Sequence, residues 1–377
     1  MQEDRGTLYR EWEEKIGGTP LVRYEGQVPN GNSIWIKREF DNPFQSHYDR
    51  VYLEIFKHDE QRGRIKPGDK VLETSSGSAG VSFAGIGKEL GYDCYMVLPA
   101  GGEKARERAI LEQLPDEDHL IFTPAEDYVN GFPRFLRRFL VKNKGEYHFM
   151  NHSMGEERGT NNELTLRALE GIASEAFEEL DNIHYFIPAI GNGSSVLGPG
   201  RVFQYWNNMA QGILGTFMEE GAPYNLRGFD LGKEVQSIDD TRTRIVPFET
   251  VQAAVLYDLK HPGEYERRFG IKPGSLSRHE LPGTSFQGID FPHITNSLEL
   301  VDDVALVSSE RMDAQYSDLT GRDDTKKLVH WDSPIESADG FGRTTKAGIN
   351  VALDIAKNVE GKNLLVIGYD KSNRYDS

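Results

Sequence analysis

Residues 70–98 read KVLETSSGSAGVSFAGIGKELGYDCYMVL. The apolar run from Lys70 to Glu73 gives way to a loop of small residues, Thr74-Ser75-Ser76-Gly77-Ser78-Ala79-Gly80. Val81 to Leu90 then reads as a helix ended by Gly91, and Cys94 to Leu98 as a second strand stopped by Pro99. Strand, small-residue turn, helix, strand is the unit of a parallel sheet, since two parallel strands need a crossover between them. The same rhythm continues outward: a helix over Glu103 to Leu114, a strand at Leu120 to Phe122 and a helix over Tyr128 to Asn143. Further on, the strand Ile183 to Ile190 runs straight into Gly191-Asn192-Gly193-Ser194-Ser195, and the helix Ala347 to Asn358 precedes the strand Asn363 to Ile367. The pattern predicts an α/β fold with parallel sheets flanked by helices. The stretch 204–241, aromatic and glycine-rich and carrying Asp239-Asp240, breaks the rhythm and reads as an insertion.

The 377 residues suit one large two-lobed enzyme-sized domain or two domains. A formal net charge of −17 argues against general binding to nucleic acid or to anionic membranes, whose phosphates it would repel. No apolar run approaches the roughly 20 residues that span a bilayer, and the acidic first residues lack the apolar core of a secretory signal. These features predict a soluble, cytoplasmic protein. Cys94 is the sole cysteine and sits in an apolar run, so it reads as a buried bystander. No metal site is expected, because the 10 histidines form neither HExxH nor a cluster with ligand spacing. The basic residues Arg134, Arg137, Arg138, Lys142 and Lys144 share a helix and its end, and read as a solvated or ion-paired face.

Two loops carry chemistry in their composition. Gly191-Asn192-Gly193-Ser194-Ser195 joins a strand to a helix, where glycines admit close approach to backbone amides at the positive end of the helix dipole. That suits a phosphate; an ordinary strand–helix turn is the alternative. Thr74 to Gly80 offers hydroxyls and amides suited to a carboxylate, with a small-residue helix cap as its alternative. A third segment, Asn42-Pro43-Phe44-Gln45-Ser46-His47-Tyr48-Asp49-Arg50, marks a turn at Asn-Pro and a helix start capped by Ser46.

In this order the segments resemble the pyridoxal-phosphate enzymes of the tryptophan-synthase-β class (fold type II), closest to the cysteine synthase and cystathionine β-synthase branch. Residues 16–22, IGGTPLV, are similar to that family's IGNTPLV, and residues 42–50 to its NPxxSxKDR. Residues 75–80 resemble the TSGNTG substrate loop and residues 191–195 the GTGGT phosphate loop. Phe286-Gln287-Gly288-Ile289 resembles IQGIG, Gly342-Arg343-Thr344-Thr345 falls at GISSG, and residues 373–377 resemble ERYLS. The resemblance implies a two-lobed homodimer. Residues 1–45 would open the large lobe, 46–150 would form the small mobile lobe with the substrate loop, and 151–377 the large lobe with the phosphate loop. It also implies a phosphate held by Gly191, Asn192, Gly193, Ser194 and Ser195, a ring contacted by Ser78 and by Thr344 or Thr345, and a substrate bound by Thr74, Ser75, Ser76, Gly77 and Gln287, its carboxylate held by Ser75, Ser76, Gly77 and Ser78.

One departure outweighs the matches. Where the family has its Schiff-base lysine, this chain has Tyr48, and a phenol forms no imine. The asparagine of TSGNTG is replaced by Ser78. Three readings follow. In the first, a lyase or transferase acts on a small amino acid by β-elimination or β-replacement, holding pyridoxal phosphate without a lysine linkage, with Tyr48 and His47 moving protons. The second is an enzyme free of that cofactor that uses the cradle for another phosphate-bearing or anionic ligand. The third is a noncatalytic paralogue that binds a metabolite or a peptide.

Overall fold

The computed structural model describes residues 4–75, 77–153, 161–218, 242–270, 272, 279–281, 284, 292–322, 328–337 and 340–375. In chain order its strands are β1 (Leu21–Arg23), β2 (Ser33–Lys37), β3 (Lys70–Thr74), β4 (Asp93–Pro99), β5 (Leu120–Thr123), β6 (Tyr147–Phe149), β7 (Tyr185–Ile187), β8 (Arg244–Ile245), β9 (Phe248–Thr250), β10 (Ala305–Ser308), β11 (Val329–His330) and β12 (Asn363–Ile367). The helices are α1 (Arg5–Glu13), α2 (Tyr48–Gln61), α3 (Ser78–Glu89), α4 (Lys104–Leu111), α5 (Gly131–Lys142), α6 (Asn161–Glu179), α7 (Ser194–Met218), α8 (Val255–Lys260), α9 (Glu264–Phe269), α10 (Pro292–Asn296), α11 (Glu310–Thr320) and α12 (Arg343–Ala356).

One sheet has the order β5-β4-β3-β6, every pair parallel. A second has the order β1-β2-β12-β7-β8, parallel except for β1 at its edge. A bridge from Ala189 to Phe248 carries it on to a third, parallel sheet, β9-β10-β11. Parallel strands need cover on both faces, and the apolar runs supply it. Leu364 to Ile367 in β12 are wholly buried. In β3, Val71 joins the main core, while Leu72 on the other face packs with Val97, Val129 and Phe132 beneath α5.

The expected α/β architecture holds, and the sequence reading differs from it mainly at element ends. The strand expected over Ile183 to Ile190 shortens to β7, because Pro188 cannot donate to a ladder. The last helix starts at Arg343, four residues before Ala347. The helix expected from Tyr128 begins as one 3-10 turn and becomes α-helical at Gly131. Residues 204–218, the first part of the expected insertion, are helical and continue α7, with no glycine or proline between Gly200 and Gly212 to interrupt it. The remainder of the expected insertion, 219–241, lies outside the described residues. Cys94 is buried, as expected. Among the described residues, no helix is long and apolar enough to cross a membrane, and no group of side chains could hold a metal ion.

Candidate active site

In open parallel sheets, ligand sites form beyond the carboxyl ends of the strands, where loops lead into helix N-termini. Here the carboxyl ends of two sheets meet at one cavity of about 400 Å³. Thr74 at the end of β3, Ser75 and Gly77 after it, Phe149 at the end of β6, Ala189 and Gly191 after β7, and Tyr369 and Asp370 after β12 all line it.

The head of α2 enters this cavity with His47 and Tyr48. Ser46 Oγ accepts from the Tyr48 amide at 3.2 Å, so the serine caps the helix start. Two residues further on, Arg50 is locked in place by Glu39 (Nε to Oε2, 2.7 Å) and by Glu175 of α6 (Nη1 to Oε1, 2.6 Å). The ring of Tyr48 lies 4.2 Å from that of His47 and 5.3 Å, edge on, from that of His152. Burial, with the Glu73 carboxylate adding to it, pushes the Tyr48 phenol above its ordinary value. The phenol therefore stays protonated at neutral pH, where a base would have to lose that proton. Burial likewise pushes His47 down to about 4, leaving a neutral imidazole whose Nε2 meets Ser195 Oγ at 3.2 Å and whose buried Nδ1 finds no partner among the described residues.

The Gly191–Ser195 turn delivers the N-terminus of α7 to the cavity, which Gly191, Asn192 and Ser195 line. Gly193 has φ +91°, and a Cβ there would stand 2.9 Å from the backbone of His293 and Ile294. Only glycine fits. Behind the turn, Asn192 Oδ1 accepts from both the Ser194 amide (3.0 Å) and the Ser194 hydroxyl (2.5 Å). The other loop, before α3, is tied by Ser75 Oγ accepting from the Gly77 amide at 3.0 Å. Gly77 lies against Arg106, whose Nη1 would be 2.7 Å from an added Cβ.

Ser78, at the start of α3, donates to Asp370 Oδ2 at 3.3 Å, as Arg106 Nη2 does at 3.2 Å and the Tyr375 hydroxyl at 3.0 Å. Burial raises the Asp370 carboxyl against the pull of Arg106. Of the two threonines, Thr344 lines the cavity, whereas Thr345 is wholly buried and its Oγ1 accepts from the Tyr369 amide at 3.1 Å.

Ten of the residues singled out in the sequence thus share one cavity: His47, Tyr48, Thr74, Ser75, Gly77, Ser78, Gly191, Asn192, Ser195 and Thr344. Gly193 and Ser194 shape its turn. Ser76 and Gln287 lie outside the described residues. Sequence reasoning missed His152. Its Nδ1 lies 2.9 Å from the Tyr52 hydroxyl and 3.1 Å from Glu73 Oε2, and its amide donates to the same carboxylate oxygen at 3.2 Å. Glu73 and Tyr52 are fully buried, so this imidazole is fixed from behind while the residue lines the cavity. The signal available was position: Asn151-His152 comes one residue after β6, at a strand's carboxyl end. Arg106, Tyr369, Asp370 and the apolar side of α5 were missed as well.

A family model described as pyridoxal-phosphate dependent enzyme matches residues 13–314. Cysteine synthase B of Escherichia coli K12 is 38% identical over 99 residues, which is 26% of this chain and 33% of that protein. Cysteine synthase of Staphylococcus aureus Mu50 is 30% identical over 195 residues, which is 50% of this chain and 58% of that protein. The chain therefore spans a third to just over half the length of these curated relatives. The solved structure of O-ureido-L-serine synthase superposes with TM-score 0.68 at 19% identity, covering 96% of this chain and 92% of that one. A lysine-to-alanine mutant of the same synthase, with O-ureido-L-serine bound, gives TM-score 0.66, also at 19% identity, covering 97% and 91%.

Proposed function

This chain belongs to the pyridoxal-phosphate-dependent enzymes, and we propose that it holds that cofactor without a lysine linkage and acts on a small amino acid or close derivative by β-elimination or β-replacement. The observation that carries the proposal is the convergence of two loop-to-helix turns on one cavity that Tyr48 also lines, the residue that the sequence resemblance aligns with the family's lysine. The fit can be judged from the side chains. At the phosphate end, the N-terminus of α7, the Ser195 hydroxyl and a turn that admits only glycine at residue 193 suit an anion. At the ring end, Ser78 and Thr344 line the cavity with hydroxyls, the Ser78 hydroxyl also donating to Asp370, while Thr345 is buried against the Tyr369 amide. Among the described residues that line the cavity there is no lysine, which supports a noncovalent hold.

When bound, pyridoxal phosphate supplies an electron sink for a carbanion at the amino acid's α-carbon. The protein's part is to bind, orient and move protons. Thr74, Ser75 and the start of α3 present hydroxyls and amides to the substrate carboxylate. The protonated Tyr48 phenol faces the cavity as a hydrogen-bond donor and not as a base. His152, held by Glu73 and Tyr52, takes the proton-accepting part for which burial unsuits Tyr48. O-ureido-L-serine synthase gives a parallel: its mutant with a lysine exchanged for alanine has O-ureido-L-serine bound. The homodimer that the family resemblance implies is part of the same proposal and is read by light scattering.

A second reading is favoured by one observation. Asn192 occupies the amide and hydroxyl of Ser194, donors that a phosphate would otherwise engage. On that reading the cavity binds a metabolite or peptide without the cofactor. Titration of the purified chain with pyridoxal phosphate, followed by absorbance, separates the two. Saturable uptake that reverses on dialysis and competes with inorganic phosphate supports the first. No uptake supports the second.

A further inference from the structure

The cavity has two unlike walls. Thr74, Ser75, Ser78, Asn192 and Ser195 make one of them polar. The other is α5 and its approach: Val129, Phe132, Leu136 and Leu140, completed by Phe149 at the end of β6. Phe132, Leu136 and Leu140 recur every fourth residue, so they stand in one row along the helix. Phe132 is buried in the cluster beneath α5, whereas Leu136 and Leu140 are only half-buried and keep apolar surface facing the cavity. Arg137 also lines the cavity but is exposed, so its charge remains hydrated and the row stays apolar. A serine-sized side chain would leave this row against water; a large apolar one would cover it.

We propose that the amino acid taken by this site carries a bulky apolar side chain or β-substituent, branched alkyl or aryl, seated against the Phe132–Leu136–Leu140 row. The proposal rests on the amino-acid reading above and names the substrate class for it. The ligand's α-amino and carboxylate groups take the polar wall and its side chain takes α5.

The test is calorimetric titration of the whole chain, with and without pyridoxal phosphate, using L-phenylalanine and L-leucine against L-alanine and L-serine. The two apolar amino acids are expected to bind at least about tenfold more tightly. Leu136→Asp should bring the four to parity, as should Leu140→Ser, while cofactor uptake stays at the wild-type level. Equal or tighter binding of alanine and serine overturns the proposal, as does a preference that survives both variants, or a failure of all four to bind in either form. Failure of the cofactor alone to bind is a separate outcome. It removes the cofactor-based reading, and the preference measured on the cofactor-free chain still decides whether α5 selects an apolar side chain.

Discussion

On the proposed reading Tyr48 takes the place of the family's lysine, a phenol where covalent attachment would need an amine, and burial beside the Glu73 carboxylate keeps that phenol protonated. Restoring the amine tests whether position 48 faces the cofactor's reactive carbon. After incubation with pyridoxal phosphate and borohydride reduction, intact-mass measurement of Tyr48→Lys should show one covalently held cofactor, mapped by peptide digestion to residue 48; the natural chain should show none there. An unmodified Tyr48→Lys that still takes up cofactor would mean that the two are not aligned. The companion prediction concerns His152. Exchange of the α-proton of a bound amino acid with solvent deuterium, followed by NMR, should fall about 10²-fold or more in His152→Gln. Glu73→Gln should lower it less, since the imidazole remains but loses its carboxylate partner. Tyr48 and the two glycine-bearing loops were legible in the sequence because each sits inside a contiguous motif. His152 was not. Its partners Tyr52 and Glu73 are 100 and 79 residues away in the chain, and no local period links them.

Between residue and molecule lies the packing of α6 on α7, which supports the Gly191–Ser195 turn from behind. Gly198 sits at the contact, where an added Cβ would be 2.8 Å from the Leu166 carbonyl oxygen and 2.9 Å from Leu169 Cβ. Two effects compete in Gly198→Ala. Alanine favours a helix interior by roughly 0.5–1 kcal/mol over glycine, while overpacking against a rigid neighbour costs about 1–3 kcal/mol. The obstructing atom is backbone within a helix and cannot swing aside, so the cost wins. Denaturant unfolding should show Gly198→Ala less stable by about 1 kcal/mol or more, and a stabilised variant would contradict this account of the contact. In the sequence, nothing sets Gly198 apart from the other glycines. Helix-to-helix closeness left no mark, since it depends on a partner some 30 residues upstream. Strands fared better: β12 was placed residue for residue, because continuous apolar runs mark strands buried on both faces.

Over the whole molecule, buried ionisable groups pull the pH dependence of stability in opposite directions. Burial lowers His47 and His293 to about 4, so the unfolded chain binds protons that the folded one refuses, and stability is lost as pH falls from about 6.5 through 4. Glu175 is held down to about 2 against its burial by Arg50 and Lys37, so its share is lost below the ordinary glutamate range. Burial acts the other way on Glu249 of β9, raising it to about 8 even though its carboxylate accepts from the Tyr257 amide at 2.6 Å and the Leu256 amide at 3.3 Å, at the start of α8. Asp49 is likewise raised to about 7 by burial against its bonds from Ser82 and the Phe44 amide. In both, the folded state holds a proton that the unfolded state has released above its ordinary carboxylate value. Their stabilisation is therefore full at acid pH and declines until pH passes the folded value. From pH 4 to 6.5 the histidines and these carboxylates offset each other; from 6.5 to 8 the carboxylates act alone. Unfolding midpoints of the natural chain should fall across that upper window. Glu249→Gln, which keeps a carbonyl to accept one amide and has no proton to release, should flatten the decline by about 1 kcal/mol between pH 6.5 and 8. A variant whose midpoint falls in parallel with the natural chain would place the titrating proton somewhere other than Glu249.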